Sequence, residues 1–326
     1  MLNNVVNSPI KEIQNNKNID VISNIKSYNN NYYTIFNEDC RKAIKKIPNN
    51  YIDFIVTDPP YFIDGMDNNW NDSKLNKRTK YSKIIGGIPA GMKFDRKQGE
   101  QLQQFLEPLA DEFFRILKPG GFCVIFSQGR LYHRMAMSLD IAGFEIRDLM
   151  IWKYEGQAKA FSQDHFIRKD KNKTEEEKEK LINELKGFKT PQLKPQLEPM
   201  VLAQKPREGT FVENWEKYDV GLMNTNETLD GKFPGTVMEV SKKVRNNETN
   251  EKLEHMTIKP VILISHLIKL FTKKNQIVLD PFLGSGSHGA AAIMNNRNFI
   301  GFEIEEKYFN IAKKRLEKLE KEPSFF

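Results

Sequence analysis

The sequence predicts an α/β fold: a mostly parallel sheet with helices on both faces. Three observations lead there. Short apolar runs at Ile52–Val56, Phe122–Phe126 and Ile277–Leu279 have the length and composition of buried strands. Segments with apolar residues at helical spacing lie between such runs, Leu102 to Leu117 being the longest. Strand and helix alternate along the chain, which makes consecutive strands parallel and sends the helices across the sheet faces.

Composition narrows the class. The chain has 326 residues, 39% hydrophobic and 29% charged, ample for a large core. No apolar run approaches the roughly 20 residues of a membrane helix. The N-terminus has no apolar signal segment, so a cytoplasmic protein is expected. Two cysteines, Cys40 and Cys123, argue against a disulfide scaffold and a Cys-rich zinc site. The histidines 133, 165, 255, 266 and 288 have no metal-ligand spacing, so no metal is expected. A net charge of +7 suits a polyanionic partner without requiring one.

The elements follow in order. Residues 1–31 hold ten asparagines and little apolar periodicity, and read as a flexible tail. Tyr32 to Phe36 reads as a strand, followed by a short helix around Ala43, Ile44 and Ile47 that Pro48 closes. The Ile52 strand comes next. Residues 62–100 have no clean period; from Asn69 to Glu100 eight basic residues face three acids, with Trp70 and Tyr81 interleaved. That loop reads either as a lid that follows a phosphate backbone or as an ordinary solvated loop. The Leu102 helix stops at Lys118-Pro119-Gly120-Gly121. A strand at 122–126, a helix at 131–142 and a strand at 145–152 complete this half.

The alternation then breaks. Thr174 with Glu177 has the form of a capping box opening a charged helix to about Leu185. Met200 to Ala203 reads as one more sheet strand, and about 155–195 and 207–250 as insertions without a strong period. Regularity returns with a helix after Lys259-Pro260, the proline being suited to its first turn. Strand 277–280, a tight turn, a helix at 289–295, strand 299–302 and a last helix at about 306–321 follow, for seven strands in all.

Two strand tips carry the chemistry. After the Ile52 strand stands Asp58-Pro59-Pro60-Tyr61, where prolines end the ladder for want of N–H groups. A carboxylate, a rigid carbonyl and an aromatic ring suit the grip of a planar exocyclic amine. Asp58 and the Pro59 carbonyl accept its two N–H groups while Tyr61 stacks on the attached ring. The second tip is Asp280-Pro281-Phe282-Leu283-Gly284-Ser285-Gly286-Ser287, a Gly-x-Gly turn into a helix and strand that ends at Glu303, 23 residues after Asp280. That layout fits a nucleoside-binding βαβ unit with an acid for ribose hydroxyls. If the strand order is permuted, both tips face one crevice.

Together these motifs resemble the β class of DNA amino-methyltransferases, which modify adenine N6 or cytosine N4. The order, catalytic motif before cofactor motif, is that of the class. His255-Met256-Thr257-Ile258-Lys259-Pro260 is similar to its cofactor-flanking segment, and Phe302-Glu303 with Tyr308, Ala312 and Arg315 to its next block. The resemblance implies a Rossmann-like sheet of seven strands, mostly parallel with one antiparallel strand and permuted motif order. It implies S-adenosylmethionine as cofactor, held by Asp39, Cys40, Asp58, His255, Thr257, Lys259, Asp280, Phe282, Gly284, Ser285, Gly286, Ser287 and Glu303. Asp58, Pro59, Pro60 and Tyr61 would be catalytic. It further implies double-stranded DNA as partner with base flipping, adenine as the usual target of Asp-Pro-Pro-Tyr, and restriction–modification as setting. A homodimer and a cognate restriction endonuclease are further expectations. The chain would divide into the tail, a catalytic half at 32–154, a target-recognition region at 155–252 and a cofactor half at 253–326. N4-cytosine methylation of DNA, methylation of an RNA base or a protein amide, or binding without catalysis, are the rival readings. Cytosine-C5 chemistry is disfavoured, because neither cysteine follows a proline.

Overall fold

The computed structural model describes residues 27–29, 32–60, 96–156, 158, 160–241 and 259–321. Tyr61, the 62–95 part of the basic loop, His255 and Thr257 lie outside the described residues.

The seven expected strands are present: Tyr33–Phe36 (β2), Ile52–Thr57 (β3), Leu117–Phe126 (β4), Glu145–Lys153 (β5), Leu197–Gln204 (β6), Ile277–Asp280 (β8) and Asn298–Phe302 (β9). Two three-residue strands, Ser27–Asn29 (β1) and Val237–Glu239 (β7), bring the sheet to nine among the described residues. The order is β1-β2-β9-β8-β3-β4-β6-β5-β7. Three residues are too few to show a period, so the expected count of seven falls short at both edges. β1 also lies inside the expected tail and pairs antiparallel with β2. With β6 antiparallel to β4, the expectation of one antiparallel strand is corrected to at least two.

The centre is parallel: β2 with β9, β9 with β8, β8 with β3, and β3 with β4. Every residue of β3, β8 and β9 is buried, which is why these strands read as continuous apolar runs. Asp53 is the charged exception in β3. Its carboxylate accepts from Lys118 Nζ at 2.6 Å and from Ile277 N at 2.6 Å, tying together the starts of β3, β4 and β8. β4 begins at Leu117 rather than at Phe122. Pairing jumps from Ile52–Leu117 to Phe54–Phe122, so the intervening turn, with Gly120 at φ +80°, bulges out.

The helices are Cys40–Ala43 (α1), Arg96–Ile116 (α2), Tyr132–Ile141 (α3), Asp164–Arg168 (α4), Glu175–Glu184 (α5), Phe211–Tyr218 (α6), Val261–Phe271 (α7), Ser287–Met294 (α8) and Glu306–Lys321 (α9). α2 packs on α3, and α7 on α8. Pro260 is the N-cap of α7, one position before its expected place. α6 falls in a stretch expected to be irregular. Thr210 and Glu213 form its capping box, and buried Asn214 donates to Pro119 O and Val220 O at 3.0 and 2.9 Å.

The chain forms two compact units, one of residues 1–152 with 198–326 and one of 153–197. The smaller unit holds α4 and α5, the latter opened by the expected Thr174–Glu177 capping box. Residues 207–241 belong with the sheet, so the structure separates the two stretches that the sequence reading grouped as one region.

Candidate active site

Parallel strands all end on the same side of a sheet, and ligands of such folds bind outside those ends. Asp58 follows β3, Asp280 ends β8, Glu303 follows β9, and Asp39 with Cys40 follows β2. Thr57 and Asp280 are 223 residues apart, yet Thr57 Oγ1 donates to Asp280 Oδ1 at 2.7 Å. The two motifs therefore end side by side.

Asp58 lies just beyond β3 with its side chain 13% exposed. Its Oδ2 accepts from Lys259 Nζ. Lys259 is itself buried and bonds a second carboxylate, Glu198 Oε1, at 2.8 Å. The Phe126 ring lies 5.0 Å from the same ammonium. Burial alone would lower the lysine's pKa, but the Asp58 and Glu198 carboxylates outweigh it and hold the pKa above its ordinary value. Pro59 is buried and Pro60 half-buried.

The second motif is a tightly braced turn. Asp280 is fully buried and accepts from Phe282 N at 3.0 Å, while its other oxygen pairs with His288 Nδ1. Gly284 sits at φ +52° and donates its N–H to Glu303 Oε2 at 2.8 Å. Gly286, at φ +80°, is the N-cap of α8, and a Cβ there would stand 3.0 Å from Ala312 Cβ. Arg315 on α9 reaches Ser287 Oγ at 3.0 Å and Ser285 O at 3.4 Å. Glu303 Oε1 also accepts from Glu305 N at 2.8 Å, and Asn37 Nδ2 donates to the Glu303 carbonyl at 2.9 Å. Burial pushes the Glu303 carboxyl up to about 7 against the pull of its backbone donors, and the Asp280 carboxylate adds to the rise.

Beside this turn, Asp39 caps α1 and holds Arg41 in an ion pair at 2.6 Å. Phe105 of α2 lies 6.0 Å from the Phe282 ring and 5.7 Å from the Arg41 guanidinium. Both thiols are buried, and burial raises the pKa of each. Of the expected site residues, the structure thus gathers Asp39, Cys40, Asp58, Lys259, Asp280, Phe282, Gly284, Ser285, Gly286, Ser287 and Glu303 on strand tips and their turns. Glu198, His288, Thr57 and Phe126 join them without having been singled out from the sequence.

The N6_N4_Mtase family model, that of DNA methylases, matches residues 52–314. The chain belongs to this family. The methylase is 31% identical over 299 residues to the type II methyltransferase M.HindIII of Haemophilus influenzae, covering 86% of this chain and 94% of that protein. It is 28% identical to M.HinfI, also from Haemophilus influenzae, over 89% of this chain and 70% of the relative. Among solved structures, PvuII DNA methyltransferase, described as cytosine-N4-specific, superposes with a TM-score of 0.54 at 15% identity, covering 87% and 86% of the two chains. An M1.HpyAVI complex with S-adenosylmethionine gives 0.50 at 21% identity, over 87% of this chain and 100% of that one. These two likenesses establish the fold: the mixed sheet of the methylase is that of these methyltransferases, with the Asp58 tip ahead of the Gly284 turn in the chain.

Proposed function

We propose that this methylase transfers a methyl group from S-adenosylmethionine to the exocyclic N6 amine of adenine in double-stranded DNA, on a base turned out of the helix. The observation that carries the reading is the Thr57–Asp280 bond of 2.7 Å, which sets the Asp58 tip against the tip of the cofactor turn. The turn fits such a cofactor. Two glycines at positive φ keep its backbone free of side chains, and Glu303 presents oxygens that two backbone N–H groups already orient. A carboxylate oxygen carries two acceptor sites, so Glu303 retains capacity for ribose hydroxyls. Asp39 and Cys40 would flank the adenine, Thr257 and Lys259 the methionine carboxylate, and His255, Asp280, Phe282, Ser285, Gly286 and Ser287 would complete the surroundings.

When bound, the cofactor supplies an electrophilic methyl on a sulfonium. The chain's part is to hold the acceptor. Asp58 Oδ and the Pro59 carbonyl accept the two amine hydrogens, which favours the pyramidal nitrogen of the transition state over the planar ground state. Tyr61 stacks on the base, offsetting the cost of a few kcal/mol for drawing it from the duplex. No covalent nucleophile is needed. A cognate restriction endonuclease as partner and a homodimer belong to the same proposal.

The test is direct. Purified protein, duplex DNA and isotopically labelled cofactor are incubated, and the digested nucleosides are separated. Labelled N6-methyladenine, lost with Asp58→Ala, is the expected result. Label in N4-methylcytosine would overturn the adenine assignment, and label only in RNA or protein the DNA assignment.

A further inference from the structure

The strand that runs against the others brings an unexpected carboxylate to the site. Parallel strands end at the active side of the sheet, but antiparallel β6 begins there. Its pairing fixes the place: Met200 lies opposite Phe126 at the end of β4, and Ser127 N donates to Pro199 O at 2.8 Å. Glu198, the second residue of β6, therefore stands at the tip of β4. There it shares Lys259 with Asp58, one ammonium between two carboxylates. All three side chains are largely withdrawn from water, with exposures of 4% for Lys259, 13% for Asp58 and 17% for Glu198.

A lysine held by Asp58 alone would compete with the target amine for the acceptor oxygen. Drawing Asp58 away from it would strip a buried cation of its partner within the protein, which is costly. A second carboxylate removes that cost, because the ammonium stays paired whichever partner Asp58 takes. The Phe126 ring also lies against the ammonium, 5.0 Å from it, with its electron-rich face toward the charge.

We propose that Glu198 is a positioning residue for methyl transfer: it retains Lys259 while Asp58 turns from the lysine to the incoming amine. This rests on Asp58 as the amine's acceptor. Glu198 touches neither substrate nor cofactor; it acts through Lys259.

Steady-state kinetics of the full-length chain test it. Glu198→Gln is expected to lower kcat roughly tenfold or more, as removing a partner from a buried charge does, with KM for DNA nearly unchanged. Glu198→Asp, which keeps the charge, is expected to restore most of kcat. A wild-type kcat in Glu198→Gln, an effect confined to KM, or Glu198→Asp no better than Glu198→Gln would overturn the proposal. Melting curves accompany both variants. Should Glu198→Gln not fold, Glu198→Asp decides alone, with near-wild-type kcat supporting and a large loss in a folded protein refuting. Asp58→Asn serves as the control: if it stays active, the amine-acceptor assignment fails, whereas an inactive Asp58→Asn beside an unaffected Glu198→Gln sinks only this proposal.

Discussion

By the proposed scheme, Glu303 couples cofactor binding to pH. Its carboxyl is raised to about 7 by burial, so near neutrality it is half protonated before any ligand arrives. An acid whose pKa rises on folding binds more protons folded than unfolded, so this group's contribution to stability is lost as pH climbs from about 4.5 to about 7. Cofactor binding carries the opposite sign, because ribose hydroxyls donate best to a carboxylate. S-adenosylmethionine affinity, measured by calorimetry, is expected to fall as pH drops through about 7. Glu303→Gln, weak throughout, separates this from titration of the cofactor itself; an equally steep profile in that variant would refute the role. Gly286 gives a second prediction. At φ +80°, with Ala312 Cβ 3.0 Å from any added Cβ, Gly286→Ala strains the turn by about 1–2 kcal/mol. A lowered Tm with weakened cofactor binding is expected, and an unchanged Tm would mean that the turn relaxes freely.

Elements show what a linear reading of the chain can and cannot reach. β3, β8 and β9 were legible because burial on both faces leaves an unmistakable apolar run, and Asp58 and Gly284 because each follows such a run directly. Glu198 was not legible. It opens a strand, and only the antiparallel course of β6 turns an opening into an active-site position. His288 was hidden for a related reason: it is one residue beyond the turn, and its role depends on Asp280, to which nothing but folding joins it. α6 was missed although Thr210 and Glu213 repeat the spacing recognised at Thr174 and Glu177; its surroundings are polar and its apolar face is two turns long. The structure shows what α6 does. Asn214 donates to carbonyls of the β4 bulge and of Val220, and accepts from Glu208 N at 2.9 Å. Asn214→Leu is expected to strand these buried groups and cost about 1–3 kcal/mol, read as a drop in chemical-denaturation midpoint. A midpoint within error of wild type would show that water replaces the side chain.

At the scale of the whole molecule, the division into two units allows the question of where the target is read to be put by excision. The expected target-recognition region at 155–252 includes most of the 153–197 unit, and we propose that this unit contributes to reading the target. Residues 168–190 carry eight basic side chains against six acidic, and Phe166 and Phe188 stand 43% and 70% exposed. Exposed aromatics among cations suit binding to unstacked bases and phosphates. The unit also closes on itself: Tyr154 N donates to Gln196 O at 2.9 Å, so its two ends meet. Residues 155–195 can therefore be replaced by a short glycine-containing turn while β5 and β6 keep their places in the sheet. The shortened chain is expected to fold and to bind S-adenosylmethionine like the parent, because none of the strand-tip residues lies in the excised stretch. DNA methylation is expected to fall and to lose its sequence preference. Both are read by sequencing methylated DNA after reaction with each protein. Salt dependence offers a parallel measure: for every phosphate that the shortened chain no longer neutralises, the slope of log K against log salt becomes shallower by about 0.9. A shortened chain that methylates the same sites at the same rate would place recognition elsewhere in the chain.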